Sequence, residues 1–156
     1  MLSYRNITED DCDFILQNWV GNSSVFGTCF DKNELLLLIQ SWNTKRYKEN
    51  YFEMFGIVYN DILVGTFSLY QQHPLENAVC LGVEIAKGNR GKGFATKAVL
   101  TAFALAKGNG YEKVLSQVRV DNIASVKLHT KCGFSVIGKT INKRGREVYD
   151  FVKTLE

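Results

Sequence analysis

The stretch Arg90-Gly91-Lys92-Gly93-Phe94-Ala95 brings together residue types that bind anions. Before it, Leu81, Val83 and Ile85 alternate with Gly82, Glu84 and Ala86, the period of a strand whose faces differ in burial. After it, Ala95, Ala98, Val99, Ala102, Phe103 and Ala106 recur at helical spacing. A strand therefore feeds a glycine-rich basic turn that opens a helix. The first N–H groups of a helix have no partner inside it, and with the helix dipole they form a site for an anion, phosphate above all. Gly91 and Gly93 have no Cβ to hold a phosphate off the backbone, and Arg90 and Lys92 put positive charge beside it.

Two familiar phosphate cradles do not fit. Gly88 and Gly93 have P-loop separation, but Phe94 and Ala95 stand where Lys and Ser/Thr belong. Gly91, Gly93 and Thr96 miss the third small position of a dinucleotide fingerprint, and the acidic residue that should follow about 20 residues on is approached only by Glu112. A second segment, Val120 to Phe134, places Asn122 at a strand end, then a short helix with Ala124, Ser125 and Leu128, and closes on Lys131-Cys132-Gly133-Phe134. Gly133 suits the C-cap of that helix.

Both segments resemble the signatures of the GNAT superfamily of acetyl-CoA-dependent N-acetyltransferases. Arg90 to Ala95 is similar to its pyrophosphate loop, Q/R-x-x-G-x-G/A, and Asn122 to Phe134 to its second motif, about thirty residues on and in the expected order. The resemblance covers nearly the whole chain, most closely from Val79 to Phe134. It implies an α/β fold: a mixed, mostly antiparallel sheet of about seven strands with about four helices, splayed where the fourth strand (Leu81) and the fifth (Val114) diverge. It also implies acetyl-CoA as co-substrate, lying in the splay. The N–H groups from Gly91 through Lys92, Gly93, Phe94 and Ala95 to Thr96 would take the pyrophosphate, with Arg90 beside them. The pantetheine would pair with Val83, Glu84 and Ile85 like an added strand, and Asn122, Ser125 and Lys131 would border the cofactor.

Direct transfer to an amine needs a base for the amine and an acid for the departing thiolate. Glu84, turned away from Val83 and Ile85, is the candidate base or the organiser of a water that takes the proton; the alternative is a solvated strand carboxylate. The family commonly has Tyr seven residues after the Asn, and here that position is His129. His129 is therefore the candidate acid, a neutral imidazole being shorter than a phenol and titrating near neutrality; the alternative is a hydrogen-bonded helix residue beside the cofactor. Cys132 is expected to pack as a small hydrophobe under its turn.

The rest of the chain sets bounds. At 156 residues, 46% hydrophobic and 22% charged, it suits one domain with its own core, spanning residues 1–156. A net charge of +3 with scattered Lys and Arg argues against nucleic acid. Cys12, Cys29, Cys80 and Cys132 lack metal-site spacing, so no metal is expected, and free thiols without a secretory leader point to the cytoplasm. The longest apolar run, Leu35 to Ile39, cannot span a membrane. The Asn22-Ser23-Ser24 sequon would then go unused.

In chain order, Leu2 to Ile7 reads as a strand, and Thr8 with Asp11 forms a capping box for a helix to about Val20. Gly21 to Thr28 reads as a loop, and Asp31 caps a helix from Lys32 to about Lys45. Phe26 and Phe30 belong either to the core or, as the resemblance implies, to the acceptor groove. Phe52 to Tyr59 and Ile62 to Tyr70 form a hairpin about Asn60-Asp61, with Gly65 marking a bulge; Pro74 keeps its connection out of a central strand. Cys80 to Ala86, a helix from Lys97 to Lys107, and Val114 to Val120 make a βαβ unit. Phe134 to Lys139 and Glu147 to Thr154 close the sheet.

The function expected from this reading is acetyl transfer to an amine: a small molecule, a polyamine or a protein N-terminus. A non-catalytic acyl-CoA-binding module of the same fold is the alternative, and the chain would act as monomer or homodimer. The segment Gly21 to Asp31 holds one acidic residue and offers little to a polycation.

Overall fold

The computed structural model describes residues 1–19, 31–47, 50–73 and 77–156, with backbone alone at 46 and 47. Val20, the segment 21–28 expected as a loop, Cys29, Phe30 and Pro74 lie outside the described residues. The strands are β1 (Leu2–Asn6), β2 (Arg46–Tyr47), β3 (Asn50–Tyr59), β4 (Ile62–Tyr70), β5 (Ala78–Ile85), β6 (Lys113–Arg119), β7 (Ser135–Ile141) and β8 (Glu147–Thr154). The helices are α1 (Cys12–Asn18), α2 (Lys32–Asn43), α3 (Phe94–Gly108) and α4 (Ile123–Lys131), with short 3-10 turns at Glu9–Asp11 and Lys87–Asn89. The main sheet runs β1-β3-β4-β5-β6-β8-β7, and the two-residue β2 pairs with β3. β5 and β6 are parallel and the other pairs antiparallel, so the fourth and fifth strands expected from sequence are β5 and β6.

Local chemistry accounts for most boundaries. Asp31 Oδ1 accepts the Glu34 N–H at 2.9 Å and starts α2. Asp11 accepts the Thr8 N–H at 2.8 Å and a two-pronged grip from Arg5 at 2.7 and 2.8 Å. Burial alone would push the Asp11 carboxyl up, but Arg5 and Thr8 hold it below its ordinary value. Asn60 and Asp61, at φ 49° and 66°, make the left-handed two-residue turn that suits a hairpin. Several expected boundaries shift, the first helix for one ending at Asn18 after a 3-10 start, and two of the shifts have a clear local cause. α3 begins at Phe94 rather than Lys97 because Gly93, at φ 82°, is its N-cap. α2 stops at Asn43, ahead of Lys45, whose φ of 56° turns the chain into β2.

The sheet separates two cores. On one face α3 packs Ala98, Val99, Ala102 and Ala106 onto Phe67, Leu69, Val79 and Val114, its small residues letting the helix approach closely. On the other face α1 and α2 bury Ile15, Leu35, Ile39 and Trp42 against Met54 and Leu63. The β3–β4 ladder carries a bulge: Ile57 pairs with Gly65 and Val58 with Leu63, so Val64 is the extra residue, next to the glycine expected to mark it. The Val64 carbonyl accepts the Ala86 N–H at 2.8 Å and ties down the end of β5.

Gly65 is what lets β4 lie this close to β5. A Cβ there would meet the Glu84 carbonyl oxygen at 2.7 Å and Ile85 Cδ1 at 2.8 Å. Gly65→Ala should cost about 1–3 kcal/mol by overpacking and lower Tm by roughly 2–10 °C, measured by thermal denaturation. A variant melting with the parent would show that the two strands separate here without cost.

Candidate active site

β5 and β6 pair only from Ala78↔Lys113 to Cys80↔Leu115. β4 stays on the other edge of β5 as far as Gly65↔Ile85, so the Leu81 and Val114 strands diverge as expected. Backbone groups alternate in direction along a strand. Ala86 turns toward β4, so the odd-numbered residues Leu81, Val83 and Ile85 turn toward the gap. Ser116 Oγ lies 3.4 Å from the Leu81 carbonyl, and Arg90 Nε donates to the Ile85 carbonyl at 3.2 Å. Val83 lies midway between these two anchors.

The gap opens into a cleft of about 540 Å³ lined by Val83, Glu84, Ile85, Asn89, Arg90, Gly91, Gly93, Phe94, Ala95 and Thr96, and by Asn122, Ala124, Ser125 and Leu128 of the α4 region. Of the residues expected at the cofactor, Lys92 and Lys131 are not in this lining and are exposed. Asn89, Ala124 and Leu128 were not among the residues expected at the cofactor, although Leu128 stands at i+4 from Ala124 and i+3 from Ser125. Gly91 and Gly93, at φ 78° and 82°, hold a conformation other residues resist, and an added Cβ would meet nothing within 4 Å, so the cradle is open. The first helical bond of α3 runs from the Lys97 N–H to the Gly93 carbonyl at 3.3 Å. The N–H groups of Phe94, Ala95 and Thr96 therefore precede the helical ladder. Asn122, just past the end of β6, lines the cleft while its side chain caps α4, accepting the Ser125 N–H at 3.2 Å.

Two cavities lie on the face opposite α3. One, of about 490 Å³, is bounded by Phe14, Asn18, Trp19, Leu63 and Glu84, so Glu84 belongs to the walls of both this cavity and the cleft. The other, of about 640 Å³, reaches from Tyr70, Cys80 and Gly82 across Ser116 and Gln117 to Thr140 and Asp150. There Asp150 accepts from Gln117 Nε2 at 2.8 Å and Thr140 Oγ1 at 3.1 Å. Burial pushes the Tyr70 phenol up, so it stays protonated.

His129 is only 2% exposed and lines none of these three spaces. Its ring sits between Phe134 and Phe151, with centroids 4.9 and 5.3 Å away. Nδ1 is 2.8 Å from the Ser125 carbonyl, which can only accept, so this nitrogen carries the hydrogen. Nε2 is 2.9 Å from Ser116 Oγ and is the acceptor. Burial pushes the imidazole pKa down, against the opposing pull of the Ser125 carbonyl. Sequence reasoning missed Ser116, yet it breaks an apolar alternation, Val114-Ser116-Val118, on a buried strand face. Cys132 is buried in the α3-side core, as a small hydrophobe would be.

Among the described residues no group of three or more His, Cys, Asp and Glu could hold a metal ion. No described helix is long and apolar enough to cross a membrane.

Comparison with known proteins gives the same picture. An N-acetyltransferase of uncharacterized role from Bacillus subtilis (strain 168), YobR, is 39% identical over 57 residues, a match spanning 36% of this chain and 23% of that protein. The fold is similar to a chimaera of the spermidine N-acetyltransferase SpeG from Vibrio cholerae and hSSAT (TM-score 0.80, 21% identity, 99% of this chain and 95% of that one). It is also similar to yncA, a putative acetyltransferase from Salmonella typhimurium solved with its cofactor acetyl-CoA (TM-score 0.77, 16% identity, 100% and 95% covered). A family model described as an acetyltransferase (GNAT) domain matches residues 2–135. With that span matched, and with a splayed sheet and a glycine turn opening a helix at the splay, this chain belongs to the GNAT family of acetyltransferases, which use acetyl-CoA.

Proposed function

We propose that this protein transfers the acetyl group of acetyl-CoA to an amine nitrogen, on a small molecule, a polyamine or a protein N-terminus. The observation that carries this reading is the position of Glu84, in the wall between the cleft and the cavity on the opposite face. Bound acetyl-CoA supplies an acetyl group activated as a thioester. The N–H groups at the start of α3 hold the pyrophosphate, with Gly91 and Gly93 allowing close approach. Val83 pairs its backbone with the pantetheine, as an added strand would. Arg90, bonded to the Ile85 carbonyl, fixes the turn against the end of β5. Asn122 and Ser125 set the start of α4 against the cofactor. Glu84 takes the proton that the incoming ammonium must lose to become a nucleophile, directly or through a water, and His129, whose Nε2 can gain and return a proton, serves the leaving thiolate.

Thiol release from acetyl-CoA is the test, screened across polyamines, amino acids, peptides with free N-termini and aminoglycosides. Release that depends on an amine supports the reading. Tight CoA binding with no amine-dependent release would favour the acyl-CoA-binding alternative.

Two variants divide the roles. Gly93→Val forces a branched residue into a left-handed conformation at a strain of about 1–3 kcal/mol, and should weaken CoA roughly tenfold or more in calorimetric titration. Turnover of acetyl-pantetheine, which lacks the pyrophosphate, should be spared; equal losses on both substrates would remove the phosphate role of this turn. Glu84→Gln should lower kcat by about 100-fold with the KM for acetyl-CoA unchanged, and an unaltered kcat would place the base elsewhere.

A further inference from the structure

The structure assigns Ser116 as the group that connects the buried His129 to the reacting centre, the two carrying the transferred proton as one relay. This inference rests on the amine-acetylation reading. Cys80↔Leu115 is the last pair of the β5–β6 ladder, so Leu81 and Ser116 are the first residues beyond it, at the vertex of the splay. Ser116 lines the cavity on the opposite face and is 7% exposed, while His129 behind it is 2% exposed. The thioester must be reachable both from the cleft that holds the cofactor and from the face through which an acceptor enters. The vertex is where these spaces meet, Gly82 bounding one and Val83 the other.

The hydrogen-bond directions give the pair two states. With Nδ1–H given to the Ser125 carbonyl, a neutral His129 leaves Nε2 bare, and the Ser116 hydroxyl donates to it at 2.9 Å. When Nε2 gains a proton it becomes the donor, and the Ser116 hydrogen is released to turn outward, toward the Leu81 carbonyl 3.4 Å away or toward a sulfur at the vertex. The reaction moves one proton internally: a C–N bond forms at the acetyl carbon, the C–S bond breaks, one proton leaves the amine nitrogen and one arrives on sulfur. Ser116 Oγ takes the proton from nitrogen as it passes its own to His129 Nε2, and gives one to sulfur as Nε2 returns its proton. No redox partner is needed, and the imidazole ends neutral.

Ser116→Ala and His129→Gln test the relay. Gln accepts a hydrogen bond but cannot carry a proton between two states. Each variant should lower kcat by about 100-fold with CoA affinity retained, the double variant should be no slower than the slower single one, and Ser116→Thr should recover most of the rate. A second readout is independent of turnover: the thiol of CoA bound to the protein, titrated by its thiolate absorbance. A thiol that can pass its proton through Ser116 to Nε2 is left as a thiolate accepting from the freed hydroxyl, so Ser116→Ala should raise the pKa of the bound thiol by about one unit, a tenfold change in ionisation. If Ser116→Ala does not fold, His129→Gln carries both measurements. A parent-like kcat, or a bound thiol whose ionisation does not move, overturns the relay. If the parent itself releases no thiol with any amine, the amine-acetylation reading has failed instead, and the thiol titration alone decides whether the pair addresses the sulfur.

Discussion

A parallel ladder that stops after three residue pairs sets the terms for everything else in this molecule. Two strands that part inside a sheet leave backbone donors and acceptors facing a gap, where each unsatisfied group costs free energy. Both strands are held open by their outer neighbours. β4 follows β5 to Gly65↔Ile85, and β8 follows β6 along its whole length, from Lys113↔Thr154 to Arg119↔Val148. The insertion of β8 between β6 and β7 is therefore part of what keeps the gap from closing or fraying. Arg90 satisfies the carbonyl at one end and Ser116 stands beside the carbonyl at the other, which concentrates the open edge at Val83.

The bulge and the glycine turn answer to the same constraint. Val64 and Gly65 bring β4 hard against the end of β5, so the strand that bears Glu84 is fixed just where β6 no longer supports it. Beyond it the chain must reverse into α3 within a few residues, and Gly91 and Gly93 supply the left-handed conformations this takes. α3 is in turn anchored by the core that Phe67, Val79 and Val114 make with its alanines. A mobile helix start would hold an anion poorly; this one is held by the larger of the two cores.

Electrostatics here divides by burial. The ion pairs Arg119–Asp121 and Lys32–Asp13 are largely exposed and contribute little. The Ser116–His129 contact is shielded from water, where leaving either polar group without its partner is costly. Glu53 is handled similarly near the other edge of the sheet, accepting from Tyr51 Oη at 2.7 Å and Asn6 Nδ2 at 3.0 Å. Burial and that carboxylate push the Tyr51 phenol far up, keeping it a donor.

What the sequence determined by itself is local. Period-two and helical spacing located β3 to β5 and α3, Asp31 and Thr8-Asp11 marked helix starts, and Asn60-Asp61 marked the hairpin, because each is set by neighbours along the chain. The glycine turn and the Asn122 to Phe134 segment were legible for the same reason, and nearly all the cleft-lining residues come from those two segments and the end of β5. Tertiary structure alone decided the rest. The order β6-β8-β7 and the point where β5 leaves β6 depend on pairings between residues far apart in sequence. Ser116 and His129, thirteen residues apart, meet because α4 folds back over β6, and no local pattern fixes which way a buried imidazole turns its two nitrogens. The Ser125 carbonyl on one side and the Ser116 hydroxyl on the other make that choice.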